Sequence, residues 1–293
     1  LPILVTGSIS SDCLDASLDG LSGLLITSLE QSNYLSVLTR SRMFDLLKQI
    51  GKSNVNTVDE ELGVEICERA DINALVLTSI RQFGDLYSVD LKILDVDKNE
   101  YLYTSNVQAE GKKSIPGLID QISKQTRISL AERADEVEKN QKEIAKITTK
   151  NLEAYKFYDL GTKAMYSNDF SLAIENFEKA VDNDSTFSLA LYQLAYSHQW
   201  FFRADEASKY INKAVKYIDS VPEKERLYIR AQSIKDFSSR IPIYEEIINK
   251  FPNEKLAYFE VADMLYHNGT IKESIPYFEK SLVLDPSFDL EIC

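Results

Sequence analysis

The chain has 293 residues, 44% apolar and 27% charged, which is enough apolar content for two globular cores and too much for a disordered chain. Its formal net charge of −13, with no basic stripe carrying interleaved aromatics, excludes nucleic acid as an expected partner. No apolar run approaches the ~20 residues that span a bilayer, and the opening LPILVTGSISSD lacks the basic, long-apolar, small-residue order of a signal peptide.

The first half alternates strand and helix patterns. LPILVTG reads as a strand, and DASLDGLSGLLITSLEQS as an amphipathic helix with Leu18, Leu21, Leu25 and Leu29 on one face. A short strand, YLSVLT, precedes helices over RSRMFDLLKQIG and VDEELGVEICERA. Two strands, INALVLTSIRQF and LYSVDLKILDV, are then joined through Gly84-Asp85 as a hairpin, and YLYTSNVQA closes the meander. In the middle strand Tyr87, Val89, Leu91 and Ile93 alternate with Ser88, Asp90 and Lys92, so one face is expected to be buried and the other wet. A helix beginning near 114 leads into a charged, glycine-free helical connector over 136–153.

The stretches DGLSGLLITSLEQSNYLSVLTRSRMFDLL and ELGVEICERADINALVLTSIRQFGDLYSVDLKILDVDKNEYLYT resemble the TolB-type amino-terminal domain of bacterial envelope and signalling proteins. The likeness spans roughly 1–135 and carries no catalytic signature. In longer members such a domain, often ahead of tetratricopeptide repeats, lies downstream of a serine/threonine kinase or a winged helix. The start without Met and the tail DPSFDLEIC, which reads as a repeat cut off early, suggest a piece of a longer protein.

The second half repeats itself. AIENFEKAVDNDS at 173–185 returns as SIPYFEKSLVLDP at 274–286, and a 34-residue frame places Phe157, Leu160, Gly161, Ala164, Ala173, Phe177 and Ala180 at fixed offsets. A frame from 188 carries Leu191, Leu194, Ala195, Ala207, Ile211 and Ala214, and a frame from 255 carries Tyr258, Val261, Ala262, Gly269, Ser274, Phe278, Ser281 and Pro286. The gap between them fits a degenerate unit whose helices start at Pro222 and Pro242. Each unit reads as a helix pair that must stack on its neighbours to bury an apolar face. Asp169 is expected to cap one second helix, and Thr270 with Glu273 to form a capping box on another, with a distortion at Pro276.

These spacings resemble the tetratricopeptide repeat over 154–286. The resemblance implies units at about 154–187, 188–221, 222–254 and 255–288, and a concave groove lined by first-helix residues. In the first unit these are Tyr155, Tyr158, Thr162, Met165 and Tyr166, and in the second Leu189, Tyr192, Tyr196, Gln199 and Trp200. In the last they are Leu256, Phe259, Asp263, Tyr266 and His267. Such rings favour a protein or peptide ligand, or else simply pack on neighbouring repeats. Tyr158 and Thr162 stand where the carboxylate-clamp subtype has Lys and Asn, which disfavours that mode.

Catalytic and metal signatures do not assemble. DVDKNE at 95–100 spaces Asp95, Asp97 and Asn99 like the start of a calcium loop, but Glu100 and Asn106 replace the required Gly and Glu, so a polar turn is expected. GLSG at 20–23 is not a nucleophile elbow, and Gly20 and Gly23 read as close-packing positions. Cys13, Cys67 and Cys293 form no pair motif, and Cys67 reads as a core residue. Arg40 and Arg42 suit a solvated helix start better than a phosphate site.

The expectation is an α+β chain: a small α/β domain with a mixed sheet over 1–135, the connector, and an all-α superhelix over 154–293. The expected function is a non-enzymatic protein-interaction module without cofactor or metal, binding protein or peptide, with a homo-oligomer as a further partner. The alternative is an α/β small-ligand sensor coupled to the repeats.

Overall fold

The computed structural model describes residues 1–9, 20–32, 34–52, 55 and 58–284; Cys13, Leu18, Pro286 and Cys293 lie outside them. Its contacts divide into two compact units, Leu1–Asp184 and Ser185–Cys293. The first unit therefore holds the sheet, the connector and the first helix pair of the repeat pattern.

Five strands form one mixed sheet: β1 Pro2–Ile9, β2 Ser36–Val37, β3 Ala74–Phe83, β4 Leu86–Asp95 and β5 Glu100–Glu110, in spatial order β2-β1-β3-β4-β5. β1 pairs in parallel with β2 and β3, while β3, β4 and β5 form the antiparallel meander. The central position of β1 accounts for its unbroken apolar run, since Ile3, Leu4 and Val5 are all fully buried and a parallel strand is covered on both faces. The β3–β4 turn is the two-residue Gly84-Asp85 loop, with Gly84 at φ 62 supplying the left-handed conformation that a tight hairpin needs.

Helices α1 Leu21–Leu29, α2 Arg40–Gln49, α3 Glu60–Ala70 and α4 Ile115–Ser129 complete the α/β part. One sheet face receives α2 and α3 through Leu46, Leu47, Leu62 and Ile66 against Leu4, Leu75 and Leu94. Asp59 starts α3 by accepting the Leu62 amide at 2.9 Å, and a Cβ on Gly63 would stand 2.9 Å from the Leu75 side chain, so glycine sets how closely α3 approaches β3. Cys67 is fully buried in this core, and burial, with Glu68 nearby, pushes its thiol up to about 12. It is therefore an unreactive packing residue. The DVDKNE turn is closed by Lys98, whose amide and Nζ donate to Asp95 at 3.1 and 2.7 Å.

The connector is helical in two pieces, α5 Ala134–Asn140 and α6 Ile144–Ile147. It stays against the α/β part because Val137, Ile144 and Ile147 are buried and because Asp120 of α4 accepts the Ile144 amide at 2.9 Å. At the end of α4, buried Arg127 grips Glu132 with two hydrogen bonds of 2.9 and 2.6 Å, and Ser32 donates to the same carboxylate at 2.5 Å. These bonds satisfy a charge that burial alone would penalise.

Helix pairs follow: α7 Leu152–Tyr166 with α8 Phe170–Asn183, α9 Ser188–Trp200 with α10 Ala204–Lys216, α11 Glu223–Ser233 with α12 Ile241–Lys250, and α13 Lys255–His267 with α14 Ile271–Leu284. The third pair occupies the gap in the repeat pattern, and Pro222 and Pro242 sit at its two helix starts. Asp169 caps α8 by accepting the Leu172 amide at 3.0 Å. Thr270 does not close a capping box: its hydroxyl donates backward to the Leu265 carbonyl at 2.9 Å, a bond that the acceptor-only Asp169 cannot make after the equivalent turn at Asn168. α14 runs on through Pro276.

Candidate functional site

A glycine fixes how the helices of the first pair meet. A Cβ on Gly161 would lie 2.6 Å from the Phe177 ring, so α7 and α8 cross where no side chain fits. The turns inside three of the pairs share one left-handed residue, Asn168 at φ 59, Phe202 at φ 55 and Gly269 at φ 82. The position is the same in these three repeats.

In the first unit, two candidate residues of α7, Tyr155 and Tyr166, face the α/β part. Tyr155 is buried, with its hydroxyl 2.8 Å from where a Cβ on Gly23 would stand, and the Tyr166 ring lies 5.1 Å from Phe44 of α2. Between them Asp159, fully buried, meets Arg40 of α2 at 2.5 Å and Lys163 at 3.0 Å. Burial pushes the Asp159 carboxyl up, but Arg40 and Lys163 outweigh it and hold it below the usual carboxylate range. Arg40, read from sequence as a solvated residue, is thus a buried tie with a side chain only 13% exposed. Tyr158 is half-buried between Tyr155 and Phe177, at 5.7 and 5.9 Å. Thr162 is buried and donates to the Tyr158 carbonyl at 2.8 Å.

In the second unit, α9 carries Tyr192, Tyr196 and Trp200 at the i, i+4 spacing of one helix face, with successive ring centroids 6.4 and 6.1 Å apart. Tyr192 and Tyr196 are buried, as is Leu189, whereas Trp200 is half-buried and Gln199 is exposed. The row continues across helices: Tyr192 stacks on Tyr228 of α11 at 6.2 Å, and Tyr228 meets Tyr244 of α12 edge-on at 5.9 Å. On α13, Phe259 is buried against Phe278 at 6.1 Å, Tyr266 is exposed, and Asp263 is 3.3 Å from His267.

Glu260 and Tyr228 were not legible as site residues. Glu260 shares a face of α13 with Asp263, hydrogen-bonds the Tyr244 hydroxyl, and has its carboxyl pushed up to about 7 by burial, with Asp263 adding and Arg240 opposing. It falls between the repeat positions that the groove pattern names. Tyr228 sits in the degenerate unit, where the frame could not be carried; only its place on an otherwise charged helix start, PEKERLYIRA, marked it. Among the described residues no group of three or more His, Cys, Asp or Glu is placed to hold a metal ion. No helix among them is long and apolar enough to cross a membrane.

No family model matches the chain, and no curated protein matches it. Among solved structures, it is similar to TolB from Acinetobacter baumannii, at 17% identity over 44% of this chain and 28% of that one, with a TM-score of 0.31. It is similar to residues 41 to the end of MamA from Desulfovibrio magneticus RS-1, at 17% identity over 62% and 99% of the two chains, with a TM-score of 0.33. YrrB, described as a TPR protein with an unusual peptide-binding site, matches at 14% identity over 60% and 85%, with a TM-score of 0.32. The chain thus spans under a third of the TolB chain's length.

Proposed function

We propose that the chain is a non-catalytic protein-interaction module in which the first helices of the second unit, α9, α11 and α13, offer their shared face to a segment of another protein. The observation that carries this reading is the row of rings that runs from Trp200 through Tyr196 and Tyr192 to Tyr228, buried at one end and half-exposed at the other. Aromatic side chains held rigid by their neighbours give contact area at little entropic cost, which suits recognition of an extended segment. Trp200, Asp263 and Tyr266 are the accessible candidates on this face.

In this proposal the α/β part anchors the first helix pair. Tyr155 and Tyr166 contribute to that anchorage, and Tyr158 and Thr162 to the packing of α7. An envelope or signalling setting is part of the proposal and rests on the residue resemblance over 1–135. Selection of peptides on the purified chain, followed by Trp200→Ala and Asp263→Ala, tests the reading. Binders that lose affinity to these variants while helicity is unchanged support it; a diverse selection that yields no binder removes it.

A further inference from the structure

The outermost strand, β5, ends the order β2-β1-β3-β4-β5, so its far edge has no strand beside it. Among the described residues its backbone hydrogen-bonds only to β4. In an antiparallel ladder every second residue then turns its N–H and C=O outward, a template for one more strand. Natural sheets blunt such edges by shortness, proline, lysine or a bulge. The opposite edge, β2, is two residues long. β5 is eleven residues long and holds no Pro, Lys or Arg, and its register shift lies near its start, at Leu102. From Tyr103 to Glu110 the ladder is regular.

The edge is open and partly apolar. Only Val107 of the strand is buried, and Leu102 is 54% exposed. Beneath the strand, Ser105 donates to Gln125 of α4 at 2.6 Å, and Ile128, three residues further along the same face of α4, is exposed. An added strand therefore has a floor for alternate side chains, as strand addition requires. On the other face Asn106 donates to Ser88 and Asp90 at 2.7 and 2.8 Å and accepts from Gln108 at 2.8 Å. This network holds the strand extended before anything binds, so little ordering entropy remains to be lost.

Charge points to the occupant. The only charged residues of β5 are Glu100 and Glu110, one at each end. The neighbouring Lys98 is held by Asp95 at 2.7 Å, and Lys112 and Lys113 lie past Gly111, outside the strand. A second copy paired about the midpoint Ser105 would set Glu100 against Glu110 at both ends, where like charges destabilise, and each copy carries a net charge of −13. A segment with cations at those positions is favoured instead. We infer that β5 takes up an extended segment of another protein as a sixth strand, with Lys or Arg side chains opposite Glu100 and Glu110. The site lies in the α/β part and does not rest on the repeat face.

The test uses the full isotope-labelled chain and a synthetic peptide as long as β5, alternating Thr and Val between a Lys at each end. Expected is slowed amide exchange at alternate residues of Tyr103–Glu110, those whose N–H groups face away from β4. The same peptide with Glu at each end should bind roughly tenfold more weakly at low salt, since two attractive cross-strand pairs become repulsive. Glu100→Lys combined with Glu110→Lys should reverse that order, and because both side chains are exposed the variant should keep the wild-type unfolding midpoint. Unchanged exchange along β5, or equal binding of the Lys-ended and Glu-ended peptides, overturns the inference. Protection of the same amides without peptide, growing with protein concentration beside a dimer in sedimentation, also overturns it and makes a second copy the occupant.

Discussion

The Arg40 guanidinium lies 2.5 Å from the Asp159 carboxylate, joining the helix after the second strand to the first helix of the repeat pattern. Room for this pair is kept by two glycines: a Cβ on Gly20 would stand 2.7 Å from Asp159, and one on Gly23 would stand 2.7 Å from Arg40. Removing the carboxylate leaves a guanidinium that is 13% exposed facing tyrosines and the Phe44 ring. Asp159→Ala should therefore cost about 3–5 kcal/mol in urea unfolding, while adding Arg40→Met to it should recover part of the loss. Because the folded-state pKa of Asp159 is depressed, its contribution is present above the unfolded carboxylate range and is lost as pH falls through the folded value. Asp159→Asn should flatten that acid limb.

Phe202 is 95% exposed yet holds a left-handed backbone at φ 55, where the first and fourth helix pairs use Asn168 and Gly269. A bulky side chain in this region costs about 1–2 kcal/mol and gains no packing here. Phe202→Gly should raise stability by about 1 kcal/mol. A fall in the unfolding midpoint would show that the ring makes contacts its exposure denies.

Glu260 gives the second unit an opposite pH signature. Its folded pKa of about 7 lies above the ordinary 4.5, so its contribution is present below 4.5 and is lost as pH rises through 7. The groups facing it are Asp263 on its own helix, Arg240 and Tyr244 at α12, Tyr192 on α9 and Tyr228 on α11. Glu260→Gln should stabilise the chain at pH 8 by on the order of 2 kcal/mol and be nearly neutral at pH 4. Equal effects at both pH values would contradict the burial of this carboxylate.

Tyr192 and Trp200 share a helix face but not a role. Tyr192 is 4% exposed and stacked, so Tyr192→Ala should cost about 3 kcal/mol or more. Trp200 is half-buried at the end of the row, and Trp200→Ala should lower stability by far less while abolishing peptide capture. Circular dichroism melts beside a binding titration separate the two.

Much of the fold was readable because its signals are local. Alternation over Tyr87–Ile93 announced one buried face of β4, but Ser88, expected on the wet face, is buried too and accepts from Asn106; Asp169 announced the start of α8, and the interval between repeats located the third pair even where its own residues gave no frame. The capping role assigned to Thr270 was misjudged because its hydroxyl can donate, and does so to the Leu265 carbonyl behind it, whereas Asp169, after the equivalent αL turn at Asn168, can only accept and so caps α8. The candidate surface was less legible. Repeat positions state which residues share a helix face, but not what covers that face, and for Tyr155 and Tyr166 the cover is another part of the same unit, fixed by Arg40. Glu260 was invisible for a related reason, since its character comes from tyrosines on three other helices.

The central claim is that the first-helix face of the second unit binds protein. Amide chemical-shift mapping of the isotope-labelled chain with a selected peptide tests it most directly. The account predicts shifts concentrated on α9, α11 and α13, strongest near Trp200 and Asp263. Shifts confined to α10, α12 and α14, or to the sheet, would contradict it.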